Sequence, residues 1–385
     1  MELYLLDKDL KFTGIIDTPV SVQWRERYSE VGTFEIHVEL DKDLMDLLKE
    51  SLFVVRKDSE YVGVIEYYDS LDSLEEGQYV TIQGRFAECL LGYRIIRYRM
   101  NFNDAKAEPK TVGQIIQAIL SDNLLDPKDG NRRMDIFDPI IEDKLSSTST
   151  PVLQVTFEDD MLETIYNLLN EVSSSIRVTM ENETETGKNK LKINLFTGVD
   201  RSYNQTTNPY VVFSQSFDNL ISANYVVDRT EERNTAYIGG EENPKYNDPQ
   251  GDNPGEGRAM TKYEEVDESG NVLSGVDRKE MFVDGSDLSQ KLTDENGKYL
   301  DYLDDAEYKE TLKSKAKDSI IKRTEKLEGT IDLLTYVYGS GKEADYYIGD
   351  ILTIDDEIFG SFNKRLIGMD FIDEETSTME PVFEE

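Results

Sequence analysis

The chain has 385 residues, is 38% hydrophobic and 31% charged, and carries a formal net charge of −37. That size and composition describe a globular protein of roughly two to four domains, not a disordered chain. A single cysteine excludes an internal disulfide framework and a single histidine excludes sites built on several histidine ligands; the acidic balance disfavours nucleic-acid phosphates and anionic membranes.

There are 22 tyrosines and one tryptophan. Tyrosine suits half-buried strand positions, with an apolar ring and a wet hydroxyl, so the aromatic content leans towards β structure. The first hundred residues read as strands. Glu2–Leu6 is a short apolar run. Over Thr33–Leu40 the residues Phe34, Ile36, Val38 and Leu40 alternate with Glu35, His37 and Glu39, the period of a half-buried strand. A short helix is predicted over Asp41–Glu50. Strands follow at Leu52–Arg56, Tyr61–Tyr68 and Gln78–Gly84, the first two joined by the polar link Lys57–Glu60. Antiparallel strands with short links point to a small barrel or sandwich.

Near Ala105 the period changes. Thr111 precedes the stripe Val112, Ile115, Ile116, Ile119 and Leu120, and with Gln114 it makes a capping-box pattern. A second helix starts near Asp159 or Asp160 and carries Met161, Ile165, Leu168, Leu169 and Val172. Asp126–Thr150 reads as a long loop between them. Strands at Ile176–Met180 and Leu191–Phe196 complete an α+β unit.

Further strands are predicted at Tyr210–Ser214, Ile221–Asp228 and Thr235–Gly239. Gly240–Gly257 reads as an exposed loop. Lys262–Val266 and Asn271–Leu273 flank a turn, and Arg278–Asp284 adds a strand. Tyr308, Leu312, Ala316, Ile320 and Leu327 predict a helix over Asp304–Leu327, acidic at its start and lysine-rich later, as the helix dipole prefers. Strands close the chain at Thr330–Tyr338, Asp350–Ile354, Arg365–Ile372 and Met379–Phe383.

Leu52–Ser73 and Asp350–Ser377 read alike. Each has an apolar strand, an acidic turn, a longer strand with a glycine (Gly63, Gly368) and an acidic tail before a closing strand. Two readings stand side by side: acidic hairpins that look similar by chance, and a duplicated barrel with one copy at each end of the chain.

No catalytic constellation stands out. Gly339 to Lys342 is a fragment of a Walker A motif without its spacing or the following Ser or Thr. Cys89 sits in an apolar run and reads as a buried thiol; His37 reads as solvated or salt-bridged, with pH sensing as its functional alternative. The acidic pairs Asp159-Asp160, Asp304-Asp305 and Asp355-Asp356 are too common in this chain to mark a glycosidase. Asp126–Asp135 and Asp267–Asn271 resemble calcium loops only loosely, so no metal and no cofactor is expected. The sequons at Asn182 and Asn204 read as chance matches. No stretch approaches the roughly 18 apolar residues of a membrane span, and the N-terminus has no signal-peptide pattern.

The opening ELYLLDKDLKFTGIID, the motifs VGVIEYYD and VTIQGRFAECLLGYRII, the segment VVFSQSFDNLISANY and the ending YYIGDILTI, RLIGMDFIDE and MEPVF resemble the phage tail hub family. These are the baseplate hub or tail-associated proteins of siphophages, myophages and tail-like prophage elements. The resemblance implies a mainly β fold with an α+β insertion: two tube-like antiparallel β-barrel domains plus peripheral α+β domains. The implied division is 1–105 for the first barrel, 106–205 for the α+β insertion, 206–240 with 329–385 for the second barrel, and 241–328 for a peripheral insertion. It implies a homotrimer at the virion tail tip that adapts a three-fold tip to a six-fold tube, with no catalysis. Implied partners are the tail tube or distal tail protein, and other baseplate, spike or tape-measure proteins. DNA would pass an acidic channel without specific binding, an effect limited to charges within about 8 Å of the passage at physiological salt. The chain stops at Glu385, so a hub alone is expected, completed by a separate spike or lysin. A tail-tip receptor- or carbohydrate-binding protein and a tail-associated cell-wall hydrolase or peptidase are the alternative readings.

Overall fold

A computed structural model describes the chain except residues 1, 58, 74–76, 104–107, 157–158, 183–187, 247–256, 294–298, 332–334, 340–343, 359, 375 and 385. The N-terminal part is a run of strands, β1 (Leu3–Leu6), β2 (Phe12–Ile16), β3 (Ser21–Arg27) and β4 (Thr33–Glu39). After helix α1 (Lys42–Glu50) come β5 (Phe53–Arg56), β6 (Val62–Ser73) and β7 (Gly77–Phe86). The α+β unit holds β8 (Met100–Phe102), α2 (Val112–Leu120), β9 (Glu142–Lys144), β10 (Leu153–Val155), α3 (Met161–Glu171), β11 (Ser175–Asn182) and β12 (Asn189–Phe196). Then come β13 (Val212–Ser214) and β14 (Leu220–Asp228). A separate small unit follows, with β15 (Thr235–Glu242), β16 (Arg258–Glu264), β17 (Glu280–Asp284), β18 (Lys291–Thr293), β19 (Tyr299–Tyr302) and α4 (Asp305–Asp318). The chain ends in β20 (Thr324–Ile331), β21 (Ile351–Asp356), β22 (Gly360–Asp373) and β23 (Ser377–Glu384).

One large sheet runs through both ends of the chain, in the order β2-β1-β5-β6-β7-β4-β3-β22-β23-β20-β14, with β21 on the other side of β22 and β13 beyond it. The fold is therefore mainly β, as expected. The barrel expectation is not met: among the described residues no sheet closes on itself. The alternation read at Thr33–Leu40 is real. Phe34, Ile36 and Val38 are buried in the N-terminal core with Trp24, Val54, Val80 and Ile82. A second core, of Phe213, Leu352, Ile354, Leu366, Met369 and Phe383, lies under the C-terminal strands. The α+β unit packs α2, α3, β11 and β12 against the other side of β5 and β6, through Phe53, Val55, Val62 and Val64. The small unit packs α4 on β15 and β16 through Tyr308, Leu312 and Ala316.

The caps follow their sequence signals. Thr111 and Gln114 form a capping box on α2, Asp160 caps α3, and Asp304 with Glu307 caps α4. The helix expected over Asp304–Leu327 stops at Asp318. Residues 324–331 instead form β20, held between β14 and β23. The helical spacing of Leu327 is overridden by ladder hydrogen bonds on both sides of that segment. Of the strand expected over Thr330–Tyr338, Thr330 and Ile331 belong to β20, and residues 332–334 lie outside the described residues. Gly240 belongs to β15 rather than to a loop, and most of the expected loop lies outside the described residues. The loop Asp126–Thr150 contains the short strand β9, parallel to β12. Sequence reading missed β2 and β3, and β3 joins the two ends of the molecule.

Candidate assembly site

β3 and β22 pair antiparallel from Arg27↔Gly368 to Val22↔Asp373. On the core face, Trp24 lies opposite Phe371 and packs on Phe34 and Phe86, with ring centroids 5.7 and 4.8 Å apart. The Arg56 guanidinium sits 4.3 Å from the Phe371 ring centroid and 5.8 Å from that of Trp24, a cation–π bridge across the junction. On the opposite face Arg27 donates to the Asp370 carboxylate, and Arg25 Nε lies 4.0 Å from it. Glu26 is buried beneath the junction and accepts from the Tyr338 hydroxyl and from Ser59 Oγ. Burial pushes its carboxyl above the usual range, opposed by the charge of Arg56.

The α+β unit is bolted to the same place. The Tyr28 hydroxyl lies 2.8 and 2.7 Å from the carbonyls of Ser173 and Thr197, and Ser175 Oγ donates to the Tyr28 carbonyl. Gly349 adopts φ +89°, and a Cβ there would come 2.5 Å from the Tyr28 ring, so only glycine fits. Asp350 is buried. It accepts from Arg201 Nε and the Val199 amide, both at 2.7 Å, and its carboxyl is raised by burial against the pull of Arg201. Glu88 lies at 3% exposure and accepts from the Val178 amide at 2.7 Å; burial pushes its carboxyl up to about 7.

The two halves of the large sheet repeat one strand order. The N-terminal half runs β1-β5-β6-β7-β4-β3 and the C-terminal half β13-β21-β22-β23-β20-β14, and in both the strands occur in the same sequence along the chain. Each long strand, β6 and β22, pairs with the preceding strand through its first part only, and with the following strand from Gly63 onward on β6 and from Leu366 onward on β22. Each carries a bulge, at Glu66 and at Ile367. Aligning the bulges matches Tyr67, not Gly63, with Gly368. The glycine correspondence suggested by sequence is therefore out of register. Gly63 is small because a Cβ would meet the Phe34 ring at 2.5 Å, a contact of its own half.

The repetition leaves two edges open. Past Ile65, whose amide still donates to the Leu52 carbonyl, β6 has among the described residues a strand partner only on its β7 side, whereas the same stretch of β22 is covered by β3. β14, the counterpart of β3, ends the sheet, with β20 as its one strand neighbour among the described residues. Tyr67, Tyr68, Ile221, Tyr225 and Val227 on these strands are 37–65% exposed.

The residues weighed for chemistry are not brought together. Cys89 is buried in the core of the α+β unit and burial pushes its thiol up to about 12, the opposite of an activated nucleophile. His37 lies on the outward face of β4, with Nε2 2.8 Å from Glu35 and Nδ1 3.1 Å from Thr81 Oγ1. Asp159 holds Thr156, Asp160 and Asp304 cap helices, Asp305 accepts from Lys245, Asp356 from Gln215, and Asp267 closes its own turn. No group of three metal-ligating side chains occurs among the described residues, and no helix there is long and apolar enough to cross a membrane. The Walker-like residues 340–342 lie outside the described residues. Two clefts, of 500 and 530 Å³, flank the α3–α4 contact. There burial and the neighbouring Glu171 carboxylate raise Asp318 to about 7.

The model of one protein family, the Siphovirus ReqiPepy6 Gp37-like proteins, matches residues 2–374. The chain belongs to this family. The match bears out the resemblance to the phage tail hub family. The fold agrees. A tail protein from Neisseria meningitidis MC58 superposes with a TM-score of 0.52 at 10% identity, covering 100% of this chain and 96% of its own. The 43 kDa tail protein of prophage MuSo2 from Shewanella oneidensis gives 0.52 at 12% identity, with 100% and 98% covered. Prophage tail protein gp18 from Listeria monocytogenes EGD-e gives 0.50 at 11% identity, with 100% and 94% covered. No curated protein matches the chain.

Proposed function

We propose that this Gp37-like tail protein is a structural hub: three copies close a ring at the distal end of the tail tube and adapt a three-fold tip to a six-fold tube. One observation carries the reading. Two sheet halves with one strand order are joined edge to edge inside the chain, and the counterparts of the two edges used in that joint, the later part of β6 and the edge strand β14, have no strand partner there among the described residues. An object that repeats twice and ends in complementary edges is suited to continue into further copies until it closes. Three copies then present six similar sheets to a tube of six-fold symmetry.

In this reading the N-terminal sheet half is the first tube-like domain and the C-terminal half, from β20 rather than from residue 329, belongs to the second. The α+β unit and the β15–α4 unit sit outside, free to meet distal tail, baseplate, spike or tape-measure proteins. The net charge of −37 per copy lets DNA pass a ring lumen without adhering, because fixed carboxylates within a Debye length repel phosphate. The hub performs no catalysis: its acidic pairs hold turns and caps, and its one thiol is buried and protonated.

Native mass measurement on the full chain over a concentration series, with electron microscopy of negatively stained tips, tests this. A ring of three with a central opening is expected. Rings of another number, or compact particles without a passage, overturn it. A zymogram on cell-wall material that shows clearing would establish the hydrolase reading instead.

A further inference from the structure

We propose that β14 of one copy adds to the open edge of β6 of a second copy, antiparallel, in the register that β3 holds on β22. This deepens the ring reading and rests on it. The ladders fix the register. With Tyr67 matched to Gly368, the partners across the next strand are Gln83 and Val382. Their partners in turn are Glu35 and Glu328, and beyond them Gln23 and Asn224. Gln23 lies opposite Ile372 in the internal joint. Asn224 therefore belongs opposite Leu71, Tyr225 opposite Ser70, Val226 opposite Asp69 and Val227 opposite Tyr68.

An independent check supports the register. A slip of one residue would turn every side chain of β14 to the wrong face. Tyr68 and Ser70 pair with Ile82 and Val80, so they lie on the core face of the N-terminal half. Ala223 packs on the C-terminal core and Tyr225 stacks on Phe362, their ring centroids 6.4 Å apart. The proposed pairs Tyr225–Ser70 and Val227–Tyr68 join core face to core face, as Trp24–Phe371 does in the internal joint.

The occupant is a second copy because the chain already contains a working example of this joint between its own halves. The two versions differ in charge. Arg25, Arg27 and Asp370 stitch the internal joint. Their counterparts at the copy-to-copy joint are Val226, Asp228 and Asp69, which form no such stitch. The outer joint thus lacks an ionic stitch and brings the Asp228 and Asp69 carboxylates of two acidic copies onto one face, so it is weaker than the internal joint, most of all at low salt, and it suits a ring that closes during assembly on the tail.

The full chain carrying Val227→Cys with Tyr68→Cys, or Tyr225→Cys with Ser70→Cys, is oxidised mildly at concentrations where it associates. Cys89 is buried and stays silent. The two pairs lie two residues apart on one face and so share one hydrogen-bonding type; either type brings the Cα atoms to about 4.5 or 5.5 Å, within disulfide reach, so both should give covalent trimers. Tyr225→Cys with Leu71→Cys, on opposite faces, should give none. In a second measurement, Val226→Arg places a cation opposite Asp69, recreating Arg25 on Asp370. Association should tighten by about two- to five-fold at low salt, the gain should shrink as salt is added, and adding Asp69→Asn should remove it. Trimers that form without in-register cross-links, or that ignore Val226→Arg, overturn the strand assignment and leave the ring reading standing. Failure of the wild type and of Val226→Arg to associate up to the solubility limit overturns both.

Discussion

The two halves of the large sheet have one strand order and different fates. In the N-terminal half β3 and β4 are joined by residues 28–32; in the C-terminal half the equivalent link, residues 229–323, carries a whole β-sheet unit capped by α4. β1 runs antiparallel to β5, whereas its counterpart β13 runs parallel to β21. The central meander, with its long bulged strand, is constant. The two halves show which features are kept when one strand order is repeated. The ladder that builds the core is retained, and hairpin ends facing away from it accept insertions, because loop length costs little once the strands are paired. The halves differ most at their outer edges: β3 is covered and contributes the buried Trp24, and β14 is open and contributes the half-exposed Tyr225.

That contrast can be broken at matched positions. The largest effect is expected at Trp24, fully buried against Phe34, Phe86 and Phe371. Trp24→Ala should cost about 3–5 kcal/mol in urea unfolding. Tyr225→Ala, its counterpart, should cost the monomer under about 1.5 kcal/mol, because the ring is still partly in water. Equal losses would show that the two halves are not equivalent in the way their ladders suggest.

Next is the buried pair at the seam. Arg201→Met leaves the Asp350 carboxylate without its charged partner in a site where it is 1% exposed. A loss of about 3 kcal/mol is expected, and Asp350→Asn added to it should restore part. If the double variant is no better than the single one, the charge of Asp350 is not what Arg201 balances.

Glu88 sharpens the comparison through pH. Its carboxyl is raised from 4.5 to about 7 in the folded chain, so between those values the native state holds a proton that the unfolded chain releases. Its contribution to stability therefore falls as pH rises through that window and is flat above it. Glu88→Gln keeps the acceptor for the Val178 amide and removes the titration. The difference in unfolding free energy between variant and wild type should grow by on the order of 1–3 kcal/mol from pH 5 to pH 8. A pH-independent difference would place the proton elsewhere.

The smallest effect is at the ionic stitch. Asp370→Asn should destabilise the monomer by about 1 kcal/mol, and Asp69→Asn, at the open counterpart, by less than about 0.5 kcal/mol.

The sequence by itself determined the β character of both ends, through the period-two run at Phe34, Ile36 and Val38, and the starts of the helices, through Thr111, Asp160 and Asp304. It also carried the family, because the core and turn residues that resemble tail hubs span nearly the whole chain. Those signals are local: a strand face or a helix cap is written within a few residues. It did not mark β3, whose Arg25, Glu26 and Arg27 look like surface until Asp370, Tyr338 and Arg56 arrive from distant parts of the chain. It also turned Leu327 into a helix residue, since spacing alone cannot see that β14 and β23 will claim the backbone on either side. Only the tertiary structure decided that the two ends share one sheet, with Tyr67 rather than Gly63 as the counterpart of Gly368. Register is a property of paired backbones, and a single strand read alone does not contain it.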